Sequence, residues 1–174
     1  MNRTALLGSV EDVLTQALMF LDSVDQRRYS EVADAPHSAS IGQHYRHVLD
    51  HFLCLADGIR TGQIDYDRRS RARELETDLS AARKRTCELL ALFTTLDSDA
   101  LSDRYTVLYS VGYSSDEAQQ IDTTLAREVA FCVSHAIHHF AIIKLVCAHF
   151  SISVPDVFGI APSTLKYRAA IASS

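Results

Sequence analysis

Apolar residues recur at spacings of three and four along most of this 174-residue chain, as they do in helices that bury one stripe. Leu14, Ala17, Leu18 and Leu21 mark a first helix over roughly residues 4 to 29, and Asp34, Ala35 and Pro36 break the pattern. Ser40 is placed to cap a second helix, because its hydroxyl oxygen can accept an orphan first-turn N–H. That helix is expected to run to about Arg60 and to stop at Thr61-Gly62, glycine being the usual residue just past a helix end. Gln63 to Arg69 reads as a polar connection. A third helix, roughly 70 to 96, is expected to bury Leu75, Leu79, Leu89, Leu92 and Leu96. Arg104 to Tyr113 departs from helical spacing. It is rich in β-branched and aromatic residues, contains a glycine, and reads as a strand or short hairpin. A fourth and most apolar helix spans about 122 to 149, and Pro155 and Pro162 break up a tail, Ser151 to Ser174, that ends in a short helix. Four long helices with short connections predict an all-α, four-helix bundle with one extended segment between helices three and four. Residues 1–174 are expected to form one domain, with 151–174 packing on the bundle.

Composition narrows the function classes. The chain is 47% hydrophobic and 22% charged, ordinary for a folded domain, with a formal net charge of -5. A nucleic-acid partner is not expected, since neutralising phosphates needs a cationic face. The longest apolar runs are short, such as Phe140 to Ile143, so no membrane span is expected. Glu11 and Asp12 interrupt the N-terminal pattern where a signal peptide would be continuously apolar. Cys54, Cys87, Cys132 and Cys147 form no Cys-x-x-Cys pair and read as reduced, half-buried thiols of a cytoplasmic protein.

The 8 histidines change the picture through their placement. At 100° per residue, His44, His47, His51 and Cys54 fall within about 80° of one another on the second helix. His135 and His139 stack one turn apart on the fourth. Glu128, Ile142 and Val146 share that seam. Imidazole nitrogen suits Zn(II), Ni(II) and Fe(II). An i, i+4 pair supplies two ligands and one histidine of a facing helix the third, which leaves coordination positions open, as in catalytic sites. A di-iron carboxylate site is not expected, because no Glu precedes a His by three residues. Cys54 and Cys132 read as small apolar residues. Glu128 is a candidate acid or base beside a more ordinary reading as a capping or ion-pairing residue.

Two segments carry a family resemblance. Ser40-Ile41-Gly42-Gln43-His44-Tyr45-Arg46-His47 and Ser134-His135-Ala136-Ile137-His138-His139 are similar to the metal-site motifs of the DinB/YfiT-like superfamily, four-helix bundles with a three-histidine metal site. Phe158 to Tyr167 resembles the closing segment of a DinB subgroup. The resemblance implies that His47, His135 and His139 are the ligands and that His138 does not ligate. The chain departs from the pattern by adding His44 and His51 beside His47. These, with His138, are expected on the pocket wall around the ion.

What the resemblance implies is a metal-dependent enzyme acting on a small molecule, most naturally a thiol-dependent S-transferase, with hydrolysis second. The ion, Zn, Ni or Fe, would lower the pKa of a bound thiol or water. A low-molecular-weight thiol would be the cosubstrate, and a homodimer the usual assembly. The rival reading is a non-catalytic metal-binding bundle with a structural or assembly role.

Overall fold

The computed structural model describes residues 4–34, 39–110, 112–113 and 118–173. Helix α1, Ala5–Leu21, opens on Thr4, whose hydroxyl accepts from Leu7 N, and buries Leu7, Val10, Leu14, Ala17 and Leu21. The single helix expected to residue 29 is two. Asp25 caps a separate five-residue helix α2, Gln26–Ser30, by accepting from Arg28 N at 2.9 Å. Just before it, the Ser23 hydroxyl donates to Phe20 O. Short polar side chains that bond nearby backbone favour such breaks over helix interiors. Ala35 and Pro36 of the expected breaker lie outside the described residues.

Helix α3, Ile41–Thr61, starts and stops as the sequence predicts. Ser40 and Gln43 exchange hydrogen bonds in a capping box, and Gly62 ends the helix at φ +80°, a left-handed conformation that glycine adopts without a Cβ clash. The expected polar connection is not one. Gln63–Asp65 forms strand β1, with Ile64 and, just beyond it, Tyr66 buried. The third helix is likewise split. Helix α4, Arg73–Thr77, ends at Asp78, which is extended and whose carboxylate caps Ser80 N and Ala81 N of helix α5, Leu79–Thr94. That shift changes the buried face. Leu75 and Leu89 are buried as expected, Leu79 and Leu96 only partly, and Leu92 is exposed, while Ala82, Thr86 and Phe93 fill the core.

The extended segment is a strand of a hairpin. Strand β2, Arg104–Tyr109, pairs antiparallel with β3, Gln119–Thr124, and parallel with β1, with Ile64 opposite Val107 and Val107 opposite Ile121. The strand therefore ends before Tyr113, and Val111 lies outside the described residues. Because residues 122–124 belong to β3, helix α6 begins late, at Leu125–His149, with Thr124 as its cap. By length and composition α6 is long and apolar enough to cross a membrane, against expectation. Val129, Cys132, Ala136, Phe140 and Ile143 are buried on the bundle, whereas Leu145 is exposed.

Helices α1, α3, α5 and α6 make the bundle, with α3 packed on α6 and α1 on α5. Phe158 of the tail is wedged between Phe20 and Phe140, with centroids 4.7 and 4.8 Å away. The last helix, α7, Pro162–Ala172, buries no residue. One backbone approach sets where the histidine-bearing helix begins. A Cβ on Gly42 would overlap the carbonyl oxygen of Glu76 and lie 2.9 Å from the Tyr29 ring. Gly42→Ala is therefore expected to cost about 1–3 kcal/mol through overpacking, read as a lower denaturation midpoint with an unchanged slope. A midpoint equal to that of the wild type would mean that α3 and α4 do not meet there.

Candidate metal centre

Helix α3 carries His44, His47 and His51, and α6 carries His135, His138 and His139. Where the two helices pack, a ring nitrogen of each of His47, His135 and His139 lies within 4.8 Å of the others. The ring centroids are 4.6 Å apart for His47–His139 and His135–His139, and 4.9 Å for His47–His135. All three side chains sit at the margin of the core, half-buried. Among the described residues no fourth His, Cys, Asp or Glu joins this group.

Electrostatics keep the three rings neutral. Loss of solvent lowers the pKa of His47 and His135 to about 3 and of His139 to about 4, and neighbouring imidazoles add repulsion. Each ring thus keeps an unprotonated nitrogen at neutral pH. His135 Nε2 and His139 Nδ1 are buried with no hydrogen-bond partner among the described residues. A buried polar atom left unsatisfied costs about 1–3 kcal/mol. Two of them in one triplet of imidazoles fit a divalent cation of borderline softness, which takes nitrogen lone pairs.

The surrounding histidines divide. His51 is 3% exposed, and its Nδ1 lies 2.8 Å from the His47 carbonyl oxygen. Since a carbonyl only accepts, Nδ1 carries the proton and Nε2 a lone pair. Its ring packs 4.0 Å from that of His135 and 4.6 Å from that of His47. His44 packs on His139 at 5.6 Å. His138 is exposed and meets His139 edge-on. So His44 and His51 flank the triplet, and His138 faces outward.

Glu128 does not join them. It is buried, and its carboxylate accepts from Tyr66 Oη at 2.9 Å and Thr123 Oγ1 at 2.7 Å, with Arg127 at 3.5 Å. It ties β1 and β3 to the start of α6, closer to its ion-pairing reading than to that of an acid or base at the cluster. Tyr66, missed in the sequence, links the two regions: its ring stacks on His51 at 5.4 Å, and its hydroxyl also lies 3.6 Å from Cys132 Sγ. The alternation of Ile64 and Tyr66 with polar neighbours was its only signal. Burial pushes the Cys132 thiol up to about 12 and that of Cys54 up to about 11, consistent with unreactive packing residues. Of the four thiols expected to be half-buried, Cys132 and Cys147 are fully buried and Cys87 is exposed.

No protein-family model matches the sequence. Over 104 residues, 60% of this chain, it is 33% identical to FK506-binding protein 5 of Rhizopus delemar, and the match spans 27% of that protein's length. Two solved structures from Bacillus subtilis share the fold. The DinB-like protein YjoA superposes with a TM-score of 0.64 at 16% identity, over 89% of this chain and 99% of that one. YfiT, described as a probable metal-dependent hydrolase with an unusual four-helix bundle topology, superposes with a TM-score of 0.56 at 15% identity, over 85% and 87%. The chain has the DinB/YfiT-like four-helix-bundle fold.

The depressed histidine pKa values set a pH dependence in the metal-free protein. In the unfolded chain these groups titrate near 6.5, and in the folded one at about 3 to 4. Between those values the unfolded state binds more protons, so their contribution is intact above about pH 6.5 and lost as pH falls toward 3. The metal-free protein should lose thermal stability between pH 7 and 5, and a His47→Ala, His135→Ala double variant should lose less. Equal losses in the two proteins would mean that these rings are already solvated.

Proposed function

We propose that this protein with the DinB/YfiT-like fold is a metal-dependent enzyme acting on a small molecule, with His47, His135 and His139 holding one divalent ion, zinc, nickel or iron. The observation that carries this is the triplet itself: neutral imidazoles, two with buried nitrogens, and, among the described residues, neither a partner for those nitrogens nor a fourth protein ligand. A structural ion is normally closed by four protein ligands, whereas three leave room for an exchangeable one.

When bound, such an ion acidifies a coordinated thiol or water and supplies a nucleophile at neutral pH. The chain's own residues do the rest. His51 donates its Nδ1–H to the His47 carbonyl, which holds its own ring against those of His47 and His135 and limits how these two donors can turn. His44 flanks His139 from the other end. Our reading of the reaction is transfer of a low-molecular-weight thiol to a small electrophile. Hydrolysis is the second reading, and the description of YfiT favours it.

The test joins metal content to spectroscopy. Protein purified without a nickel column should carry about one divalent ion per chain. His47→Ala, His135→Ala and His139→Ala should each lose most of it, and His44→Ala, His51→Ala and His138→Ala should keep it. Full occupancy in any of the first three would remove that residue from the site. In a cobalt-substituted sample, N-acetylcysteine should alter the d–d spectrum as sulfur enters the coordination sphere. A spectrum changed by azide but not by thiol would favour hydrolysis, and one changed by neither would favour the structural or assembly role.

A further inference from the structure

A cavity of about 580 Å³ opens between β2, β3 and the first turn of α6. It lies beside the histidine cluster. Tyr66 and Phe131, with centroids 5.1 Å apart, form one wall, and the same two rings pack on His51 and His135 at 5.4 and 5.7 Å. Val107, Tyr109 and Ile121 extend the apolar lining. A flat hydrocarbon body therefore has ring faces to lie against within one residue layer of the metal centre.

Charge decides what else such a molecule carries. Arg104 and Arg127 both line the cavity. The Arg127 guanidinium carbon sits 5.3 Å from the Phe131 centroid, so that aromatic face already holds a cation. Its ion pair with Glu128 is 3.5 Å long, and its side chain is 64% exposed, leaving donors free. Arg104 makes no ion pair among the described residues. Of the two carboxylates present, Glu128 has one oxygen engaged by Tyr66 and the other by Thr123. The formal charges of the lining balance, two arginines against two carboxylates, but Glu128 is buried, and Asp122 is the one lining carboxylate with no hydrogen bond or ion pair among the described residues.

We infer that this cavity binds a small organic carboxylate with a flat apolar or aromatic body, its carboxylate taken by Arg104 and Arg127. The inference rests on the proposed function in one respect, that the cavity is the substrate chamber of that metal centre. A cationic ligand would have to displace Arg127 from Phe131, and a neutral one would leave both guanidinium groups unused.

Calorimetric titration of the full-length protein with 2-naphthoate, 2-naphthamide and 2-naphthylmethylamine tests this. The carboxylate should bind about tenfold or more tighter than the amide, as expected for a charge-assisted contact, and the amine should bind weakest. Arg127→Gln and Arg104→Gln, confirmed folded by circular dichroism, should each weaken naphthoate binding about fivefold or more without changing that of the amide. Asp122→Asn should tighten it. The same pattern is expected in chelator-treated, metal-free protein, because the ion does not build the walls. Absent naphthoate binding in protein that holds its metal overturns this inference alone, and naphthoate binding in protein that never takes up metal overturns the metal-centre reading alone. Equal affinity for the three probes, or arginine variants that bind naphthoate like the wild type, also overturns it.

Discussion

Packing imidazole rings between two helices, with buried nitrogens that find no partner among the described residues, is the constraint on which the rest of this structure depends. An exposed histidine bonds to solvent through both nitrogens. At the α3–α6 contact, burial keeps His47, His135 and His139 neutral, and two of their nitrogens have no hydrogen-bond partner among the described residues. Such an arrangement costs stability unless something else accepts the lone pairs. A divalent ion does so for all three at once, which is why we read the cluster as a binding site and not as three core histidines.

The scaffold fixes that contact from several sides. The Ser40–Gln43 capping box and Gly62 set both ends of α3, and the missing side chain of Gly42 lets α3 approach the backbone at Glu76. On the opposite flank, β1 pairs into the hairpin, and Tyr66 and Thr123 both bond to buried Glu128. That polar anchor joins two strands to the first turn of α6, one heptad before His135. The ring of Tyr66 then stacks on His51, whose proton goes to the carbonyl of His47. The hairpin and the histidine cluster are thereby mechanically linked, and the cavity with Arg104 and Arg127 lies at their junction.

The site was legible where its determinants are local. The i, i+4 spacing of His135 and His139 and the cap at Ser40 are properties of single helices, and both hold. The choice of His47 over His44 and His51 came from the family resemblance, since all three fall within about 80° on the helix. Angle also placed Glu128 on the histidine seam, but seven residues of rise, about 10 Å, put it beside the sheet instead. Helix breaks at Asp25 and Asp78 were missed because apolar spacing continues across them while a carboxylate recaps the chain. Strand β1 was missed because three residues carry almost no period-two signal, and its partner lies some forty residues on. Long-range pairing of that kind is settled by packing and not by local propensity.

The coordination sphere itself is the most direct test. X-ray absorption at the metal edge, on protein loaded with one equivalent of zinc, counts imidazole ligands through their multiple-scattering signature. Three imidazoles at about 2.0–2.1 Å are the expected result, completed by light non-imidazole scatterers that a thiol or small anion exchanges. Four imidazoles, with no change on adding N-acetylcysteine or azide, would contradict it: His51 or His44 would then close the sphere, and the ion would be structural.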